Sequence, residues 1–156
     1  MRLFLDCEFN GFKGQLISMA LVSEDGKEWY EVLQCTNPID WVAENVMPIL
    51  YWPTTDPLLF TLSLQTFLSQ FPTVHIVADW PEDIQHFCAA LITGPGQRID
   101  TPPLTLEILR IDSASEIPHN ALHDARGIRN EVLRLEALNV PELPHFTLPH
   151  GRPFSF

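Results

Sequence analysis

The chain opens on an apolar run, Leu3-Phe4-Leu5, that passes into alternation, Asp6-Cys7-Glu8-Phe9, before the turn residues Asn10 and Gly11. This pattern predicts a short strand ending near Phe9. Residues 15–22 form a second apolar run of strand composition. Ser23-Glu24-Asp25-Gly26 has hairpin-turn chemistry, and residues 28–33 alternate as a third strand. The first part of the chain therefore reads as a three-stranded antiparallel meander.

Helical patterning follows. Asn37-Pro38 reads as an N-cap and a first-turn proline for a helix over 39–46, interrupted at Met47-Pro48. Residues 58–71 have helical spacing, with Leu58, Leu62, Gln65, Thr66, Phe67 and Phe71 along one side. Residues 74–79 predict a strand with Asp79 at its end. Pro81-Glu82-Asp83 then opens a helix to about 91, its acids suiting the helix dipole. Thr93-Gly94-Pro95-Gly96 ends that helix. A strand is expected over 104–111, a polar loop over 112–118, and a helix over 126–138. Ala121, Ala125, Ile128, Val132 and Leu135 recur at four-three spacing along the same stretch. Residues 140–156 are rich in proline and histidine. With no repeat and no hydrophilic linker, residues 1–156 read as one domain. Its class is α/β: a mixed sheet, antiparallel at the N-terminal end with parallel additions, flanked by helices.

Composition narrows the function. The 156 residues are 46% hydrophobic, enough for a real core. No run is long enough to span a bilayer. The N-terminus lacks a secretory pattern, and the three cysteines (Cys7, Cys35, Cys88) form no CxxC pair. Both point to a reducing cytoplasm. A net charge of −11 argues against broad electrostatic binding of long duplexes, which needs arrays of Lys and Arg. A short substrate needs fewer phosphate contacts, and bound dications would offset part of the charge.

Asp6 and Glu8, two apart in a strand, project from the same face. Close carboxylates repel and resist desolvation, so a paired set of this kind suits a hard divalent cation such as Mg²⁺ or Mn²⁺. The ordinary alternative is a half-exposed strand turning both acids to water. Further along, His119 precedes Asp124 by five positions. If His119 lies in the loop entering a helix and Asp124 in its first turns, a carboxylate and an imidazole converge on one point. Each has an ordinary reading too: Asp83 as a first-turn acid, His119 as a loop residue.

Taken together, Asp6-x-Glu8, an acid shortly after a mid-chain strand, and His119-x-Ala121-Leu122-x-Asp124-Ala125 resemble the DEDDh exonucleases. These are 3′–5′ exonucleases on an RNase-H-like fold. The chain looks most like the small stand-alone bacterial exoribonucleases, over residues 3–138. The resemblance implies that Asp6, Glu8, Asp83 and Asp124 bind two divalent cations, Mg²⁺ or Mn²⁺, with His119 as general base. It implies release of nucleoside 5′-monophosphates from the 3′ end of single-stranded RNA, or of DNA. The main chain at Phe9 and Asn10 would border the terminal nucleotide, with Phe9 or Phe12 stacking on its base. Homodimerisation is a further expectation, since related stand-alone enzymes often pair; no membrane is expected.

The second motif departs from the family pattern. Where the family often reads His-Asn-x-x-x-Asp, this chain has Ala78-Asp79-Trp80-Pro81-Glu82-Asp83. Asp83 keeps the spacing and Asp79 stands in place of Asn, so Asp79 is the second choice of ligand. His123, beside Asp124, is a rival for the base. Two other readings compete: an HD-type phosphohydrolase built on His123-Asp124, which the strand-rich N-terminus disfavours, and a catalytically inactive RNase-H-like binding or assembly module.

Overall fold

The strand that carries the first acidic pair, β1 (Arg2–Phe9), lies at the centre of a five-stranded sheet in the computed structural model, which describes residues 1–138. The expected Pro/His-rich tail, 140–156, lies outside the described residues. β2 (Leu16–Ser23) and β3 (Glu28–Val32) complete the antiparallel meander on one side of β1. On the other side β4 (Val74–Ala78) and then β7 (Leu104–Ile108) add in parallel, giving the order β3-β2-β1-β4-β7. A small hairpin, β5 (Ile92–Gly94) and β6 (Gln97–Arg98), stands apart, turning through Pro95-Gly96. Thr93-Gly94-Pro95-Gly96, expected only to end a helix, thus also carries a strand and the turn of this hairpin. The helices are α1 (Asp40–Asn45), α2 (Pro57–Leu68), α3 (Pro81–Ala90) and α4 (Ala121–Ala137), with a 3₁₀ turn at Met47–Ile49. None of the described helices is long and apolar enough to cross a membrane.

The alternation of β1 decides which layer each residue serves. Leu3, Leu5 and Cys7 point to one face and pack with Phe60, Leu64, Phe67 and Leu68 of α2 and Phe87 of α3. Phe4 points to the other, against Val77, Ile128 and Val132. Ala20 and Val22 meet Ala121 and Ala125 on that same side. Each such large apolar side chain removed from water contributes about 1.5–3 kcal/mol, so the core of both layers fixes the register firmly. By parity, Asp6 and Glu8 follow Phe4 to the α4 face.

α4 runs antiparallel to β1. Arg2, at the start of β1, pairs with Glu24 and with Glu136 in the last turn of α4. The opposite end of α4 therefore lies over the C-terminal end of β1.

Three local expectations are corrected. α1 is capped by Ile39 rather than Asn37, and no side chain caps it. α2 buries Phe60, Leu64, Phe67 and Leu68, leaving Leu58 (65% exposed) and Leu62 (49%) outside the core. Its rotation is set by Phe60 packing edge-on to Trp29 and by Ser63, which accepts from Trp29 Nε1 and donates to Glu31. α4 starts at Ala121, five residues before the predicted 126, because Asn120 supplies the N-cap: its Oδ1 accepts from the backbone N–H of Leu122 (3.1 Å) and His123 (3.4 Å).

Candidate metal centre

Strand register brings the first three acids together. Leu5 of β1 pairs with Ala78 of β4. The next residues, Asp6 and Asp79, accordingly stand side by side at the C-terminal edge of the parallel pair, both turned to the α4 face. Asp83 comes from the first turn of α3 and is almost fully buried, at 2% exposure. Asp124 comes from the first turn of α4. Oxygens of Asp6, Glu8 and Asp124 lie within 4.8 Å of one another, and so do those of Asp6, Asp79 and Asp83. The acids thus form two triads that share Asp6. Asp79 and Asp83, between which the sequence leaves a choice of ligand, both sit in the second triad.

Five carboxylates in so small a space raise one another's proton affinity. Burial, then Asp83, Glu8 and the other acids, push Asp6 well above the usual carboxylate range. Burial and then Asp124 push Glu8 up to about 8. Burial and then Asp79 and Glu8 push Asp83 up to about 8, against the pull of the Cys7 backbone N–H. Asp79 and Asp124 are also raised, chiefly by desolvation. A set of hard oxygen donors that holds protons so tightly is a set that a dication would relieve. The donor chemistry fits Mg²⁺ or Mn²⁺; among the described residues no cysteine or histidine joins either triad.

The segment before α4 is folded tightly around Asp124. His119 adopts φ = 67°, an uncommon conformation for a residue with a side chain, and its backbone N–H donates to Asp124 Oδ2 at 2.9 Å. Its exposed ring meets the Trp41 indole edge-on, with centroids 5.0 Å apart. His123, the rival base, turns elsewhere: its Nδ1 lies 3.4 Å from Glu116. Gly127 lets the preceding loop press on α4, since a Cβ there would lie 2.5 Å from the Ala114 carbonyl oxygen.

Two asparagines tie α1 and its 3₁₀ extension across this end of the sheet. Asn10 Oδ1 accepts from the Ile39 N–H (2.8 Å), and its Nδ2 donates to the Asn37 carbonyl (2.9 Å). Asn120 Nδ2 donates to the Ile49 carbonyl (2.7 Å). The Asn10 side chain is therefore engaged in holding α1, which carries Trp41. Phe9, the other residue expected near a terminal nucleotide, stacks on the buried His86 ring at 5.1 Å. Phe12 lies further out, beside Trp80, at 6.3 Å.

Sequence reasoning passed over Trp41 and Arg110. Neither sits in a motif; only the fold sets Trp41 against His119 and Arg110 over Trp80. His75 bridges Thr105 (2.6 Å) and Glu107 (2.7 Å) on β7. A cavity of about 560 Å³ lined by Leu16, Leu33, Thr54 and Pro57 includes none of the five acids. No known family model matches the chain, and a search of curated proteins found no match.

Proposed function

We propose that this protein is a metal-dependent 3′–5′ exonuclease acting on short single-stranded RNA, or DNA, and releasing nucleoside 5′-monophosphates. The observation that carries the reading is the pair of acid triads sharing Asp6. Two dications, Mg²⁺ or Mn²⁺, would be held by Asp6, Glu8 and Asp124 on one side and by Asp6, Asp79 and Asp83 on the other. When bound, such ions supply Lewis-acid stabilisation of a phosphodiester and lower the proton affinity of the attacking water.

The chain's own residues do the rest. His119 is the general base, taking the proton from the attacking water through its imidazole. Asp124 orients it by accepting the His119 backbone N–H. Trp41 restrains the ring from the α1 side. The main chain around Phe9 and Asn10, held by the Asn10 bonds to α1, borders the terminal nucleotide. The sheet order β3-β2-β1-β4-β7, with β2 antiparallel to its neighbours and β4 and β7 parallel to β1, is compatible with an RNase-H-like fold.

The test is release of mononucleotide from 5′-labelled RNA and DNA oligomers with Mn²⁺ or Mg²⁺. A descending ladder from the 3′ end, abolished in Asp6→Ala, is expected. Intact oligomers under all metal conditions would leave the inactive binding module in its place.

A further inference from the structure

We propose that Trp80, Arg110 and Phe12 form a second nucleotide subsite that takes the penultimate nucleotide of an unpaired strand, its base on the aromatic shelf and its phosphate on the Arg110 guanidinium. The proposal rests on the exonuclease reading and adds to it what the protein recognises beyond the terminal residue.

The shelf begins one residue past the acids. Trp80 directly follows Asp79 and is half-buried, and the guanidinium that covers its indole, that of Arg110, also acts on the Asp79 carboxylate of the second triad. Arg110, two residues beyond β7, lies over that indole with Cζ 4.6 Å from the ring centroid. Phe12 tilts against Trp80, with centroids 6.3 Å apart and an angle of 39° between planes. Phe12 is 58% exposed, and its loop is pinned to α3 by the Lys13 backbone N–H donating to Glu82. Gly14 makes that loop possible: a Cβ there would lie 2.0 Å from the Asn10 carbonyl oxygen.

Charge and placement together single out Arg110, since Arg98 also makes no ion pair among the described residues and, of the two, Arg110 is the one stacked on an aromatic ring. Few cations stand against twenty acids, and most arginines are already committed. Arg2 pairs with Glu24 and Glu136, Arg126 with Glu28, and Arg134 with Glu131. Arg129 donates to the carbonyls of Ser23 and Glu24. Arg110 makes no ion pair among the described residues, yet stands near enough to Asp79 to favour its charged form. A guanidinium stacked on an indole keeps its N–H edge for a planar or tetrahedral oxyanion. A ligand that pairs a flat aromatic ring with a phosphate fits this arrangement. A base locked in a duplex cannot lie on the rings, so the ligand is a single strand.

The experiment measures binding of 5′-fluorescein pentamers to the full chain by anisotropy in Ca²⁺, with chromatography confirming intact oligomer. Ribose and deoxyribose versions are compared, each with a normal or an abasic penultimate residue. Wild type should bind the base-bearing strand on the order of tenfold more tightly than the abasic one, the scale of base stacking on an aromatic side chain. Trp80→Ala should erase that difference and Trp80→Phe should keep most of it. Arg110→Ala should weaken both strands alike and lower the salt slope by about one phosphate contact. Equal affinity of wild type for the two strands, or a difference that survives in Trp80→Ala, overturns the subsite. If Trp80→Ala does not fold, the wild-type comparison and Arg110→Ala decide. Base-dependent binding without nucleotide release would remove the exonuclease reading alone; release without a base preference would remove the subsite alone.

Discussion

The backbone N–H of His119 donates to Asp124 Oδ2 at 2.9 Å, so the proposed base and a proposed metal ligand are one hydrogen-bonded unit. The bond is possible because His119 takes φ = 67°, turning the chain sharply before the Asn120 cap. Such a conformation costs on the order of 1–3 kcal/mol for a residue with a Cβ. His119→Gly should relieve that strain against a backbone-entropy cost of roughly 0.5–1 kcal/mol, leaving stability unchanged or raised by about 1 kcal/mol. Activity should fall about 10²- to 10⁴-fold, the usual share of a general base. Chemical denaturation beside single-turnover hydrolysis checks the pair; a large loss of stability would show that His119 holds the fold instead.

Stability of the metal-free protein should fall as pH rises. Glu8 and Asp83 titrate near 8 in the folded chain, above the ordinary carboxylate range of the unfolded one. Between about pH 4.5 and 8 the native state thus binds more protons, and stability is lost as those protons leave. Thermal melts in EDTA across that window should show a declining midpoint, and millimolar Mn²⁺ at pH 8 should raise it again. A midpoint that climbs with pH in EDTA would contradict the close packing of these acids.

Asp6 belongs to both triads, so its loss should be felt twice. Asp6→Asn removes one buried charge from a crowded set. The metal-free variant should melt higher than wild type at pH 8 while losing the Mn²⁺-dependent rise and nucleotide release. Differential scanning fluorimetry with and without Mn²⁺ reads both effects.

Asn120 serves two elements at once, capping α4 and donating to the Ile49 carbonyl at 2.7 Å. Asn120→Ala should cost about 1 kcal/mol for the cap and about 1–3 kcal/mol more for the abandoned carbonyl. Urea unfolding measures the sum. A loss under about 0.5 kcal/mol would mean that the tie to the 3₁₀ turn contributes nothing.

Gly127→Ala sets helix propensity against space. Alanine gains up to about 1 kcal/mol in a helix interior. Its Cβ would meet the Ala114 carbonyl oxygen at 2.5 Å, and that backbone must move. We expect net destabilisation of about 1–3 kcal/mol, as for other overpacked sites, with reduced activity because the loop leads into His119. A variant as stable and active as wild type would show that the loop yields freely.

Much of the architecture was legible along the chain. The alternation through Asp6 and Glu8 placed both on one face of β1, and the meander and the two later strands formed as patterned. Local chemistry was less readable where a distant contact intervened. The helical spacing of 58–71 admitted more than one buried stripe, and Trp29 and Glu31 on β3 selected it. The start of α4 depended on Asn120 acting as a cap. Nothing in the order of residues tells whether an asparagine caps, latches a loop or faces a ligand; Asn10 does the second.

The sequence by itself determined that two acids share a strand face, that acids and a histidine gather at two helix starts, and that the layers are α/β. Strand parity and helix periodicity are local properties, carried by residues a few positions apart. Only the tertiary structure decided that Asp79 and Asp83 both join Asp6, since that follows from the pairing of Leu5 with Ala78 across more than seventy positions. It likewise decided that Trp41 meets His119 and that Arg110 lies on Trp80, because side chains remote in the chain become neighbours only when the core on both faces of the sheet sets the register.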